Sequence, residues 1–234
     1  VQRFKTMTAT WILTIGSSDI VLTEEIKKKL HDYYSTISKQ IYNITFDAKE
    51  IEDEKPKLYA IPIRVLGEIY QYLENNHVER SNDFYRNLKF PLLDRFSARL
   101  KANPIEPDRI IIILTDQSHI FPDNKSDRRK KCPFWQDTCT VQSLLEKYIS
   151  EKFSAVKPEF ITLQPELQPE ARSKGLDDWD SVLALVSQQL AKVVLEDDTI
   201  YISHQAGTPA ISSALQFVSL GRFGSRVQFL VSNE

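Results

Sequence analysis

The sequence predicts an α/β fold, a mostly parallel sheet with helices on both faces, and three stretches carry that prediction. Arg109 to Leu114 (RIIIIL) is a continuous apolar run of strand length, as expected for a central parallel strand buried on both sides. Thr199 to Ser203 alternates β-branched and aromatic residues. It then breaks at Gly207-Thr208-Pro209 into a segment whose Ile211, Ala214, Leu215 and Val218 share one helical face. Trp11 to Ile15 is another short apolar run, followed by the small polar turn Gly16-Ser17-Ser18-Asp19 and an amphipathic segment. Strand then helix, repeated, implies parallel strands joined by right-handed crossovers.

Met7 is the only methionine and stands just before the first strand, so residues 1–9 read as an N-terminal extension and 10–234 as one folded domain. Thr23-Glu24-Glu25 opens the first helix, with Ile26 and Leu30 facing inward. Gln40 to Phe46 (QIYNITF) alternates like a second strand, and Asp47 to Lys57 is a charged connection. Val65 to Leu73 has helical spacing. Asn82 to Lys101 reads as a longer helix with Phe84, Leu88, Leu92, Leu93, Phe96 and Leu100 on its apolar side, kinked or divided at Pro91. After the Arg109 strand, Pro122 to Cys139 is a long irregular excursion holding Lys125, Arg128, Arg129, Lys130 and Lys131. That basic run is either solvated surface or, as an RNA-binding element, a contact to phosphates or to RNA in an assembled complex. Val141 to Phe153 is helical, Glu159 to Leu163 a strand, Leu176 to Val194 a helix that starts near Asp177 and Asp178, and Val227 to Val231 closes the sheet. The chain stops soon afterwards, where a linker to a further domain is expected.

With 234 residues and a formal net charge of −2, the chain can bury a sizeable core but presents no global field to recruit duplex DNA or an anionic membrane. No apolar run approaches the length needed to span a bilayer and no signal-peptide pattern opens the chain, so the expected location is cytoplasmic. Cys132 and Cys139 lack a second pair or neighbouring histidines and read as free thiols. The four histidines, His31, His77, His119 and His204, are scattered singly, so neither a metal site nor any other cofactor is expected.

Function is most legible at the strand ends. Gly207 relieves the backbone of side-chain sterics, Thr208 can cap a helix with its hydroxyl, and Pro209 suits the first helical turn. Such a junction aims amide N–H groups and the positive end of a helix dipole beyond the strand, which favours an anion; an ordinary tight βα turn is the plainer alternative. The Gly16-Ser17-Ser18-Asp19 turn and the polar terminus Thr115-Asp116-Gln117-Ser118 repeat the pattern. In an open parallel sheet these loops share one edge, where the ligand crevice lies. Neither G-x-G-x-x-G nor G-x-x-x-x-G-K-[ST] is present, which disfavours a nicotinamide enzyme or a P-loop triphosphatase.

Ile12 to Leu22 (ILTIGSSDIVL), Ile110 to Ser118 (IIIILTDQS) and Tyr201 to Leu215 (YISHQAGTPAISSAL) together resemble the CARF family, the CRISPR-associated Rossmann-fold sensor domains of type III CRISPR ancillary effectors. The likeness spans most of the chain. It departs from the family at His204-Gln205-Ala206, where many relatives carry Asn and a Ser or Gly. The resemblance implies a Rossmann-like domain that binds cyclic oligoadenylate, tetra- or hexa-adenylate, across the axis of a homodimer and controls an effector. It assigns the ligand to Gly16, Ser17, Ser18, Asp19, Thr115, Asp116, Gln117, His204, Gln205, Ala206, Gly207, Thr208 and Pro209. No Arg-x(4–6)-His pattern of the family's usual ribonuclease partner occurs, so that effector is expected elsewhere. Some members cut the ring, holding a ribose 2′-hydroxyl in line with the adjacent phosphate without metal. Ser17, Ser18 and Lys174 are the catalytic candidates for such a ring nuclease, Lys174 being otherwise a surface lysine. A nucleotide- or phosphosugar-binding α/β enzyme, monomeric and indifferent to adenylate rings, is the more distant reading.

Overall fold

β1 (Ala9–Thr14) lies at the centre of a five-stranded sheet, between β6 (Arg109–Thr115) and β8 (Thr199–Ser203), with β7 (Glu159–Leu163) and β9 (Val227–Phe229) outside them. The computed structural model describes residues 8–37, 46–52, 56–103, 105–121, 130–166, 175–193 and 199–232. All four pairings in this sheet are parallel, with Thr10 opposite Arg109 on one side and Ala9 opposite Thr199 on the other. Counted along the chain, the order is third, second, first, fourth, fifth. This is the Rossmann-like arrangement, and the direction of winding reverses between β1 and β8.

Period-two alternation sends neighbouring side chains to opposite faces. Ile12, Ile111, Ile113, Ile200 and Ile202 pack against α6 (Trp179–Ala191) and α7 (Pro209–Phe223). Trp11, Leu13, Ile110, Ile112 and Leu114 face a larger aromatic core. That second core is built by α1 (Glu24–Ile37), α2 (Ile63–Asn76), α3 (Val78–Arg86), α4 (Pro91–Ala102) and α5 (Gln142–Lys152). Helices thus cover both faces, and Ile26 and Leu30 of α1 are buried as their spacing requires.

Pro91 divides the expected long helix: α3 ends at Arg86, and α4 starts with Pro91 in its first turn, where the missing N–H is harmless. Between them lies β5 (Leu88–Lys89), part of a four-stranded antiparallel sheet with β2 (Val21–Thr23), β3 (Lys49–Glu50) and β4 (Leu58–Ala60) in the order β3-β4-β2-β5. The sequence reading did not foresee this second sheet. The strand expected from Gln40 falls on residues outside the described ones up to position 45, and Phe46 is a buried loop residue. The N-terminal extension up to position 7, and Lys125, Arg128 and Arg129, also lie outside the described residues. Within the rest of the excursion, Pro133–Gln136 and Cys139–Val141 form 3-10 turns. Cys132 and Cys139 form no disulfide, and no helix among the described residues is long and apolar enough to cross a membrane.

Candidate functional site

Two loops meet at the carboxyl edge of the sheet, at the point between β1 and β8 where the winding reverses. After β1, Ser17 and Ser18 form the corner of a β-turn in which the Asp19 N–H donates to the Gly16 carbonyl at 3.1 Å, while the Gly16 N–H donates to Asp19 Oδ2 at 2.6 Å. After β8, Gly207 takes φ +88°, a backbone state that L side chains rarely adopt. Thr208 follows as the cap of α7, its hydroxyl accepting the Ile211 N–H at 3.2 Å and donating to the Leu176 carbonyl at 2.7 Å. Thr14 ties the loops together by donating to the Ala206 carbonyl at 2.9 Å. Among the described residues, the N–H groups of Ser17, Ser18, Gly207 and Thr208 have no hydrogen-bond partner.

A third loop, after β6, is held by a buried polar network. Thr115 and Thr138 bond each other through backbone and hydroxyl groups, the Thr115 N–H reaching Thr138 Oγ1 at 2.9 Å and the Thr138 N–H reaching Thr115 Oγ1 at 3.1 Å. Gln117 donates to the Asp137 carboxylate from its amide N–H at 2.8 Å and from Nε2 at 3.0 Å, and its Oε1 accepts the Leu176 N–H at 3.0 Å. Arg64 of α2 completes the network, with Nη2 at 2.7 Å from Asp116 and 3.1 Å from Asp137, Nε bonded to the Phe134 carbonyl, and its guanidinium stacked over the Phe134 ring. Burial pushes the fully enclosed Asp137 carboxyl up despite Arg64. Burial also raises Asp116, but hydrogen bonds from Ser118 and Arg64 outweigh it and the net direction is down.

These loops enclose a cleft of about 470 Å³, within the range of small-ligand pockets. Gly16, Ser17 and Ser18 line it from β1, Thr115 and Gln117 from β6, and Gln205, Ala206, Gly207 and Thr208 from β8. A cavity of similar size, about 440 Å³, runs along α6 beside Val182 and Leu185. It gathers no such set of strand-end loops.

No family model matches the sequence, and no curated protein matches it. The chain is similar in structure to Enterococcus italicus Csm6 bound to cyclic hexa-2′-fluoro-hexa-dAMP. The two share 12% identity at a TM-score of 0.42 over 97% of this chain. The chain spans about a third of that protein's length, 34%.

Nine of the thirteen residues expected to meet a ligand line the cleft, and four stand elsewhere. Asp19 is turned inward, 2% exposed, and burial raises its carboxyl to about 7 although the Gly16 N–H acts in the opposite direction. Asp116 is committed to Arg64, Ser118 and Gln164. The His204 ring packs edge-on to Phe229 at 5.4 Å with Nδ1 at 2.9 Å from Ser212 Oγ and Gln216 Nε2, and burial lowers its pKa. Pro209 occupies the first turn of α7. Lys174 lies outside the described residues. Gln205 lines the cleft while its side-chain amide pairs with the Ser232 backbone in both directions.

Sequence reasoning missed Ile15, Pro133, Gln136, Asp137, Leu176, Asp177 and Ile211 in the lining, and Lys131 was expected only as part of the basic run. One signal was available: the polar pair Asp137-Thr138 follows Phe134-Trp135, and both polar residues end up buried. The nearby Cys139 thiol is pushed up to about 12 by burial, which makes it a poor nucleophile. Among the described residues no cluster of His, Cys, Asp and Glu could hold a metal ion. What the cleft offers is backbone N–H donors, hydroxyls and a helix N-terminus, the equipment for binding a compact anion.

Proposed function

We propose that this cleft binds cyclic oligoadenylate as the sensor site of a CARF-type domain. The observation that carries the reading is the meeting of the Gly16-Ser17-Ser18 turn with the Gly207-Thr208 start of α7 at the reversal point of a Rossmann-like sheet. Open amides, two serine hydroxyls and a helix dipole suit a phosphodiester, and the motifs at these positions are those that resemble the family. The chain's near-neutral charge favours local recognition of a small polyanion over a broad nucleic-acid surface.

A ring of adenylates has rotational symmetry, and a two-fold dimer presents the same cleft twice. Phe217 and Leu220 of α7, both exposed, supply apolar surface on a helix that starts at the cleft and support this homodimeric reading. Titrating the protein with cyclic tri-, tetra- and hexa-adenylate, while following affinity and products, tests the proposal. Tight binding of an intact tetra- or hexa-adenylate ring agrees with a sensor. Turnover to linear fragments ending in 2′,3′-cyclic phosphate makes the site a ring nuclease as well, and indifference to all three rings rejects both.

A further inference from the structure

A second basin of about 400 Å³ opens beside the cleft, and Ser17, Lys131 and Gln136 line both. Its floor is apolar: Phe46 and Ile61 are buried, with Pro62 beside them, and the Phe46 ring is fixed edge-on to Trp135 at 5.1 Å. Its rim is basic. Lys49 from β3 and Lys130 and Lys131 from the loop before the first 3-10 turn are all exposed, and the Lys130 ammonium stands 5.9 Å from the Phe46 ring centre. None of the three lysines pairs with a carboxylate among the described residues, whereas Lys57, just before β4, pairs with Glu50 at 2.7 Å. Asp47 is the one acidic group in the lining.

We infer that this basin is a phosphate subsite for an oligonucleotide that extends out of the main cleft past Ser17, with the Phe46 and Ile61 floor receiving a base. The inference rests on the reading of the main cleft as an oligoadenylate site. Its chemistry differs from that of the cleft: there backbone amides and hydroxyls recognise phosphate, while here ammonium groups do so over an apolar bed, the combination that tracks single-stranded nucleic acid. The antiparallel sheet thereby acquires a role, since β3 and β4 carry Lys49 and the Ala60-Ile61-Pro62 wall to the cleft margin.

Binding of cyclic and linear hexa-adenylate is measured across a salt series from about 50 to 200 mM. The proteins are wild type, a Lys49→Gln/Lys130→Gln/Lys131→Gln variant and a control Lys101→Gln/Lys157→Gln/Lys192→Gln variant. The control lysines precede β6, β7 and β8 and so sit at the opposite edge of the sheet. Thermal melts establish that all three proteins are folded. The subsite predicts that the first variant alone lowers the slope of log affinity against log salt, by about 1 to 2 for three lysines, and weakens binding at low salt at least roughly tenfold. An unchanged slope while wild type binds the ring overturns the subsite and leaves the main reading intact. Loss of linear binding in the first variant, with no ring binding by wild type, supports the subsite for a linear oligoadenylate and overturns only the cyclic form of the ligand proposed for the main cleft. Absence of binding to either ligand rejects both.

Discussion

Gly16 and Gly207, 191 positions apart in the chain, touch backbone to backbone: a Cβ placed on Gly16 would lie 2.8 Å from the Gly207 nitrogen. The two glycines are required for different reasons. At Gly16 the constraint is space, because the neighbour is main chain and cannot rotate away. At Gly207 it is conformation, since φ is +88° while an added Cβ would meet nothing nearer than Ile211 Cγ2 at 3.8 Å.

Gly16→Ala is therefore expected to push the two loops apart, lowering stability by about 1–3 kcal/mol and impairing ligand binding more than stability. Gly207→Ala is expected to lose about 1–2 kcal/mol to backbone strain without a clash. Denaturant midpoints and ring titrations of the two variants separate these effects. Equal affinity loss in two equally stable proteins would show that the close approach is immaterial.

Asp19 gives the cleft a pH dependence whose sign follows from its burial. Its folded pKa of about 7 stands above the ordinary 3.8, so between these values the folded state keeps a proton that the unfolded chain has lost. The stabilisation is fully present below about pH 4, falls as pH rises to about 7 and is flat above, a difference on the order of 4 kcal/mol at most. Asp19→Asn keeps an oxygen for the Gly16 N–H and should flatten that slope, with equal or greater stability at pH 8. If the ring binds at the Gly16-Ser17-Ser18 turn, its affinity in wild type should fall as pH rises through 7, because the new carboxylate charge lies next to that turn. Unfolding curves and titrations at pH 6 and 8 measure both.

Arg64→Met removes the cation that faces Asp116 and Asp137 and leaves Asp137 enclosed without a counter-charge. A loss of about 3–5 kcal/mol is expected, with partial recovery in Arg64→Met/Asp137→Asn. Additive single-variant effects in that double-mutant cycle would mean that the pair is not coupled.

Thr208→Val keeps the shape of the side chain but removes the acceptor for the Ile211 N–H and the donor to the Leu176 carbonyl. About 1–2 kcal/mol should be lost, and Thr208→Ser should restore most of it. If the two variants melt alike, the hydroxyl does not hold the helix start.

Much of this framework was legible from local pattern. Ile110 to Leu114 had the apolar continuity of a doubly covered strand, and Gly207-Thr208-Pro209 carried the chemistry of a strand-to-helix junction in three adjacent residues. The second sheet was not legible, because strands of two or three residues such as Lys49–Glu50 and Leu88–Lys89 are too short to show a period of two. Their pairing is set by tertiary contact. The network behind the cleft was hidden for a related reason: Arg64 stands 52 and 73 residues from its two carboxylate partners, and an isolated arginine in a helical segment reads as solvated surface. Asp19 and His204 looked like ligand groups from their places at strand ends, but direction is a three-dimensional property, and both side chains bond to protein groups instead.

Amide hydrogen exchange with and without cyclic hexa-adenylate tests the central claim most directly, because it asks at once whether the ring binds and where. Slowed exchange is expected in the Gly16–Asp19 turn and from Ala206 to Ile211, with the strand interiors unchanged. Saturating ligand that leaves both segments as they were, whether or not protection appears elsewhere, would contradict it.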